Sequence, residues 1–217
     1  MSKIKIAPSI LSADFANMAT EIKRIEQGGA DLVHCDVMDG VFVPNITFGI
    51  KMVADIRKVT NLPLDVHLMI VNPEKYVQEF AKAGADYITV HYEACKDNLI
   101  EVLKLIKSTG KKCGAVINPD TPVEKIKEAV PYCDMILVMS VFPGFGGQKF
   151  IAEVLEKFAQ LRKIIDNTGK NILLEIDGGV NRETINSVIE AGVDIAVAGS
   201  AVFKAKDIKE EIEFLKG

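Results

Sequence analysis

The sequence predicts an α/β protein of the (β/α)8 TIM-barrel class, a single domain over residues 1–217. Three observations predict it. Short β-rich runs alternate with amphipathic helical stretches along the whole chain. Several of the runs are almost continuously apolar, as parallel strands covered on both faces are. A glycine-led punctuation recurs at Gly29-Ala30-Asp31, Gly84-Ala85-Asp86 and Gly192-Val193-Asp194, the glycines standing 55 and 108 residues apart. These intervals are roughly two and four units of about 27 residues, which fits a repeating βα unit.

The strands are expected near Ile4–Ser9, Leu32–Val37, Pro63–Leu68, Asp86–His91, Lys112–Ile117, Met135–Ser140, Asn171–Asp177 and Asp194–Ala198. Between them, Leu99, Val102, Leu103 and Ile106 make the apolar stripe of one helix. Ile151, Val154, Leu155, Phe158, Leu161 and Ile165 make that of another. Asn72-Pro73 and Thr121-Pro122 look like an N-cap followed by a first-turn proline, and Thr121 with Glu124 fits a capping box. The recurring glycines fit helix C-terminal caps. A doubly wound open sheet would carry a G-x-G-x-x-G turn after its first strand. Here that turn reads Pro8-Ser9-Ile10-Leu11-Ser12, without glycine. No linker or low-complexity block marks a domain boundary.

Composition narrows the function. The 217 residues are 48% hydrophobic, enough for a large core. A formal net charge of −4 argues against nucleic acid as a partner. A small phosphorylated ligand remains open, because loop amides and helix ends bind phosphate without excess lysine or arginine. No apolar run is long enough to span a bilayer, and no signal-peptide core follows Met1-Ser2-Lys3-Ile4-Lys5. A soluble, cytoplasmic protein without membrane partners is expected. Cys35, Cys95, Cys113 and Cys133 are scattered, which argues against a disulfide framework or a cysteine-rich zinc site.

The chemistry is concentrated at strand ends. Side chains alternate faces along a strand, so His34, Asp36 and Met38 share one face, and Asp65, His67 and Met69 another. Cys35 then points away, into packing. Two histidines and a carboxylate on otherwise apolar strands are unfavourable to bury without a compensating partner. Asp177, at the end of the seventh strand, adds a second carboxylate. In this architecture strand C-termini form the active site. His34, Asp36, His67 and Asp177 make an N2O2 set suited to one divalent ion per subunit: Zn2+, Fe2+, Mn2+ or Co2+. Asp65 is placed one layer deeper, as a supporting group, and His91 at the rim. Met38, Met69 and Met139 either fill the core or form a soft apolar wall beside the centre. Ser9 and Ser140 each end a strand.

Three glycine-bearing turns complete the mouth: Gly144-Phe145-Gly146-Gly147 after strand six, Gly178-Gly179 after strand seven, and Gly199-Ser200 after strand eight. The last two lie where this architecture binds phosphate. The first is long enough to act as a mobile lid.

These residues resemble ribulose-phosphate 3-epimerase (pentulose-5-phosphate 3-epimerase), a barrel of the ribulose-phosphate-binding type. The resemblance covers nearly the whole chain. It rests on Ala7-Pro8-Ser9-Ile10-Leu11-Ser12-Ala13-Asp14 and on the run His34-Cys35-Asp36-Val37-Met38-Asp39-Gly40 through Asn45. It continues in Asp65-Val66-His67-Leu68-Met69, Val138-Met139-Ser140-Val141, Pro143-Gly144-Phe145-Gly146-Gly147-Gln148 and Asp177-Gly178-Gly179. The resemblance implies a metal held by His34, Asp36, His67 and Asp177. Asp36 and Asp177 would be the acid/base pair, working on C3 of a phosphorylated ketose from opposite faces through an ene-diolate. Ser9 and His67 would touch substrate. Gly144 to Gly147, Gly178, Gly179, Gly199 and Ser200 would cradle the phosphate end, and Met38, Met69 and Met139 would line the intermediate. A homo-oligomer is common in such a family.

Phe142 stands where many relatives carry a polar residue, and Glu93-Ala94-Cys95-Lys96-Asp97-Asn98 departs from a common bacterial version. Both bear on substrate choice, so D-allulose-6-phosphate 3-epimerase is the alternative, with a non-catalytic sugar-phosphate binder further off. A Schiff-base aldolase would need a strand-end lysine, and Asp36-Val37-Met38-Asp39 lacks the Asp-x-Lys pair of related decarboxylases.

Overall fold

The computed structural model describes residues 3–217; Met1 and Ser2, which open the N-terminal stretch considered above, lie outside the described residues. Eight parallel strands form one sheet: β1 (Lys5–Ala7), β2 (Val33–Met38), β3 (Leu64–Met69), β4 (Tyr87–His91), β5 (Lys112–Ile117), β6 (Met135–Met139), β7 (Leu173–Asp177) and β8 (Ile195–Val197). Each expected strand is present, with ends within two residues of those expected. The order β1-β8-β7-β6-β5-β4-β3-β2 leaves β1 and β2 to meet. They do so through a parallel bridge between Ser9 and His34, with the His34 N–H donating to the Pro8 carbonyl at 3.1 Å. The sheet is thus closed into a barrel, which removes its edges.

Helices α1 (Met18–Gln27), α2 (Ile50–Arg57), α3 (Val77–Ala83), α4 (Tyr92–Cys95), α5 (Leu99–Ser108), α6 (Leu155–Asp166), α7 (Ile185–Glu190), α8 (Ser200–Phe203) and α9 (Ile208–Lys216) follow the strands. The stripe Leu99, Val102, Leu103 and Ile106 is buried, as are Phe158, Leu161 and Ile165 of α6. Outward-facing strand residues such as Val33, Cys35 and Val37 pack with these helices in one continuous layer. Cys35 therefore faces away from His34 and Asp36, as its parity requires.

Two expected caps are absent. Asn72 adopts φ +50° before a 3-10 turn, Pro73–Lys75, with no side-chain cap. No capping box forms at Thr121 either: its hydroxyl donates to Glu93 instead. The β5–β6 connection contains only the 3-10 segments Val123–Ile126 and Val130–Tyr132. Pro119, Pro122 and Pro131 remove three backbone donors there, which disfavours a longer helix.

The glycine punctuation has a structural partner at the bottom of the barrel. Asp31 accepts from the Ile6 N–H (2.9 Å), Asp86 from Leu64 (2.8 Å), Asp134 from Cys113 (3.0 Å) and Asp194 from Leu174 (2.7 Å). Each aspartate N–H donates back to the carbonyl of the same residue, at 2.8 to 2.9 Å. An aspartate entering each even-numbered strand thus ties down the odd-numbered strand before it. Each is also paired with a helix cation: Lys216 at 2.8 Å, Arg57 at 3.0 Å, Lys107 at 3.4 Å and Arg162 at 2.6 Å. Only three of the four are visible as a sequence repeat, because Cys133-Asp134 lacks the preceding glycine.

Replacing Asp194 by Ala strands the buried Leu174 N–H and is expected to lower unfolding free energy by about 1–3 kcal/mol. Glu101→Ala, on an exposed helix face, is expected to stay within about 0.5 kcal/mol of the parent. Urea melts check both. Equal losses for the two variants would remove the anchoring role.

Candidate active site and metal centre

Inside the barrel the inward parity of β2, β3, β4 and β7 collects ionisable and hydroxyl side chains at mid-height. His34, Asp36, Asp65, His67, Thr89, His91 and Glu175 are all buried. Ala7, Leu32, Tyr87, Met135, Ile195 and Val197 form a separate apolar cluster, of which Val197 reaches the level of Asp177. Above the polar residues the mouth opens into a cavity of about 340 Å3. β2 and β7 are separated by β1 and β8 on one side of the barrel and by β3 to β6 on the other. Asp36 and Asp177 therefore enter the cavity from opposite walls.

The Asp36 carboxylate is gripped from three directions. Ser9 Oγ donates to Oδ2 at 2.5 Å. Oδ1 lies 3.1 Å from His67 Nδ1 and 3.3 Å from His34 Nε2. Asp177 Oδ2 lies 3.9 Å from both of those nitrogens. His34 turns its other nitrogen, Nδ1, to Asp65 Oδ2 at 2.6 Å. Glu175 stands behind that pair, its Oε1 3.9 Å from His34 Nδ1.

Burial works against charge on Asp36, but the charge of His34 beside it and the hydrogen bond with His67 outweigh it and hold Asp36 far below the usual carboxylate range. Asp177 lacks those donors. Burial, then the charge of Asp36, pushes it up to about 7. Burial disfavours the His34 imidazolium, yet Asp36 and Asp65 hold its pKa well above the ordinary value. Burial takes His67 the other way, down to about 4. Burial and then Asp65 raise Glu175 well above its ordinary value.

The donors fit a divalent cation. Single ligand atoms of His34, Asp36, His67 and Asp177 all lie within 4.8 Å of one another. Four ligands about 2.0–2.1 Å from a tetrahedral ion lie roughly 3.4 Å apart, and the four nitrogen–oxygen spacings here run from 3.1 to 3.9 Å. His34 Nε2 is buried without a hydrogen-bond partner among the described residues, although both carboxylates face it. A shared cation would satisfy that atom and offset the repulsion between the two carboxylates. His34 would bind through Nε2 and His67 through Nδ1.

The cavity wall gathers most of the residues expected at the site: Ser9, Asp36, Met38, Met69, Met139, Gly144, Phe145, Gly146, Gly147, Asp177, Gly178, Gly179, Gly199 and Ser200. Gly178 has φ +121°, and a Cβ there would meet Val141 at 2.6 Å, so the turn after β7 admits only glycine without a shift. Met38, Met69 and Met139 are buried yet line the wall. His34 and His67 do not reach it. His67, expected to touch substrate, lies wholly behind the carboxylates, with Nδ1 facing Asp36 and Nε2 only 2.8 Å from His91 Nε2. His91, expected at the rim, is fully buried beside it.

Sequence reading missed several neighbours. Lys204 also lines the cavity, one turn into the segment after Gly199-Ser200, and among the described residues it is the one basic side chain on that wall. Its spacing from Ser200 was the available signal. Glu175 shares the parity of Asp177 and was legible in the same way. Glu93 sits in α4 with Oε2 3.1 Å from His91 Nδ1, while Oε1 accepts the Asn118 N–H at 2.9 Å. The segment from Phe142 to Gln148 is braced by Gln148, whose amide donates to the Phe142 and Phe145 carbonyls at 2.6 and 2.8 Å. Phe142 and Phe145 are exposed.

Opposed carboxylates over a cation-competent cluster, beside a glycine-built rim and one lysine, define a barrel equipped for proton transfer on a small anionic substrate. The chain belongs to the Ribulose-phosphate 3 epimerase family, whose model matches residues 5–203. It is thus an isomerase of the epimerase type. It is 54% identical over 215 residues to the ribulose-phosphate 3-epimerase of Bacillus subtilis (strain 168), covering 99% of each chain. It is 50% identical to the chloroplastic ribulose-5-phosphate-3-epimerase of Arabidopsis thaliana, covering 99% of this chain and 77% of that one. Among solved structures, one of KGPDC from Streptococcus mutans superposes with TM-score 0.77 at 12% identity, over 99% of this chain and 95% of that one. That likeness is one of fold.

Uptake of Zn2+ is expected to release about one proton per ion at pH 6, from His34 Nε2, because an imidazole must be deprotonated to bind, while Asp177 keeps its proton on the oxygen that does not ligate. Affinity is expected to weaken on acidification. Calorimetry in buffers of different ionisation enthalpy measures the count. Uptake without proton release at pH 6 would contradict this electrostatic account.

Proposed function

We propose that the chain, acting as one catalytic barrel, inverts C3 of D-ribulose 5-phosphate to give D-xylulose 5-phosphate, reversibly. The observation that carries this reading is the pair Asp36 and Asp177, facing one cavity from opposite walls with their proton affinities pushed apart. One carboxylate held ionised and one held protonated near neutrality are a base and an acid ready for use.

Asp36 accepts the C3 proton from one face of the sugar, and Asp177 supplies a proton to the other, with roles exchanged in the reverse direction. Ser9, donating to Asp36 Oδ2, keeps that carboxylate turned to the cavity. A divalent ion held by His34, Asp36, His67 and Asp177 supplies positive charge where negative charge develops on the substrate oxygens. Met38, Met69 and Met139 present a low-polarity surface that keeps water from the carbanionic carbon. The N–H groups around Gly178-Gly179 and Gly199-Ser200, with Lys204, receive the phosphate, fixing the distance from the anionic end to C3. Membership of the epimerase family supports both the reaction and a phosphorylated ketose as substrate.

Turnover of D-ribulose 5-phosphate in D2O is expected to place deuterium at C3. Asp36→Asn and Asp177→Asn are each expected to lower kcat/KM by about 10²–10⁴-fold. The five-carbon substrate is expected to outrun D-allulose 6-phosphate. A preference of more than about tenfold, ~1.4 kcal/mol, for the six-carbon sugar would overturn the substrate assignment. Full activity in either asparagine variant would overturn the two-carboxylate mechanism.

A further inference from the structure

Behind the four candidate ligands runs a second line of polar groups. His67 Nε2 and His91 Nε2 are 2.8 Å apart, with the two rings stacked at a centroid distance of 5.0 Å. His91 Nδ1 lies 3.1 Å from Glu93 Oε2. Glu93 Oε1 takes the Asn118 N–H at 2.9 Å and the Thr121 hydroxyl. That turn is itself held by Lys157, whose ammonium donates to the carbonyls of Asn118, Pro119 and Thr121 at 3.0, 2.8 and 2.7 Å. The Phe42 ring covers the other side of His91, centroids 4.8 Å apart.

Proton counting gives this line a direction. Two ring nitrogens 2.8 Å apart share one proton. His67 Nδ1 faces the ligand cluster, so an ion there requires it bare, and a neutral imidazole then carries its proton on Nε2. That N–H donates to His91 Nε2, which must be bare, so the His91 proton sits on Nδ1 and points to Glu93. The chain ends on a carboxylate, which only accepts. Reversing any member leaves two facing lone pairs or two facing protons in a buried site.

We infer that His91 and Glu93 are positioning residues that lock His67 in the Nε2-protonated tautomer and so set how tightly the centre holds its ion. The inference rests on the metal-centre reading above and extends it to residues that touch neither ion nor substrate. Outer partners of ligating histidines orient the ring and raise its basicity. Asp65 stands in the same relation to His34, but through a direct carboxylate contact of 2.6 Å. The His67 arm reaches its carboxylate only through a second imidazole.

The test titrates metal-free protein with Co2+, followed by its visible absorption, in the parent, His91→Phe and His91→Gln. His91→Phe keeps a ring but removes the acceptor, and is expected to bind Co2+ about 10- to 100-fold more weakly. His91→Gln keeps an acceptor for His67 and a donor for Glu93, and is expected to recover most of that loss. Long-range 1H–15N spectra of the Zn2+-loaded parent supply a readout independent of any variant's folding. They are expected to show His67 protonated at Nε2 and His91 at Nδ1. The opposite tautomer on either ring, or a His91→Phe affinity equal to the parent's, overturns the relay while leaving the centre in place. A parent that takes up no Co2+ overturns the centre and the relay together.

Discussion

The Asp36 carboxylate sets the terms for the rest of the interior. It is buried, it is held ionised, and it shares its two oxygens among a serine hydroxyl and two imidazoles. Placing such a group inside a barrel is unfavourable by several kcal/mol unless every lone pair finds a partner. The neighbouring residues answer that requirement in order of distance. Ser9 and the two histidines meet Asp36 directly, Asp65 and His91 orient the histidines, and Glu93 orients His91. A cation among the inner four would offset the charge of Asp36 and give the buried His34 Nε2 a partner.

Such a network keeps its geometry only on a stiff frame. The lower rim provides one, through four aspartates that each close a two-point ring with a neighbouring strand and an ion pair with a helix. The polar layer then sits between this rim and a glycine-rich mouth. This division matches the general pattern in which one face of the barrel maintains the fold and the other carries the chemistry. Asp36, Asp177 and the histidines sit on or at the ends of strands, whereas the segment from Phe142 to Gln148, with two exposed phenylalanines, is braced internally by Gln148 and tied to the β2–α2 connection by Asn45, whose amide donates to the Gly144 carbonyl.

Strand parity made much of this legible before any coordinates. Alternation places His34, Asp36 and Met38 on one face and Cys35 on the other, and the coordinates keep that division. The same rule puts Tyr87, Thr89 and His91 inward, but parity gives a direction and not a depth. How far His91 lies from His67 depends on the shear between β3 and β4, a tertiary quantity. Glu93 was harder still, since its partners Asn118 and Thr121 come from a different crossover. The Thr121 capping box failed for a related reason: a local pattern lost its hydroxyl to a distant carboxylate. The fourth aspartate anchor was hidden because Tyr132-Cys133-Asp134 reaches the same geometry without the glycine that marks the other three.

The proposed chemistry depends on one divalent ion held among His34, Asp36, His67 and Asp177. Anomalous diffraction from a crystal of the Zn2+-loaded protein, recorded on both sides of the zinc absorption edge, locates that ion without reference to activity. The expected result is a single strong peak within about 2.0–2.2 Å of His34 Nε2, His67 Nδ1 and one oxygen from each aspartate. A peak on other residues, or a fully loaded crystal in which Asp36 and Asp177 turn away from the ion, would contradict it.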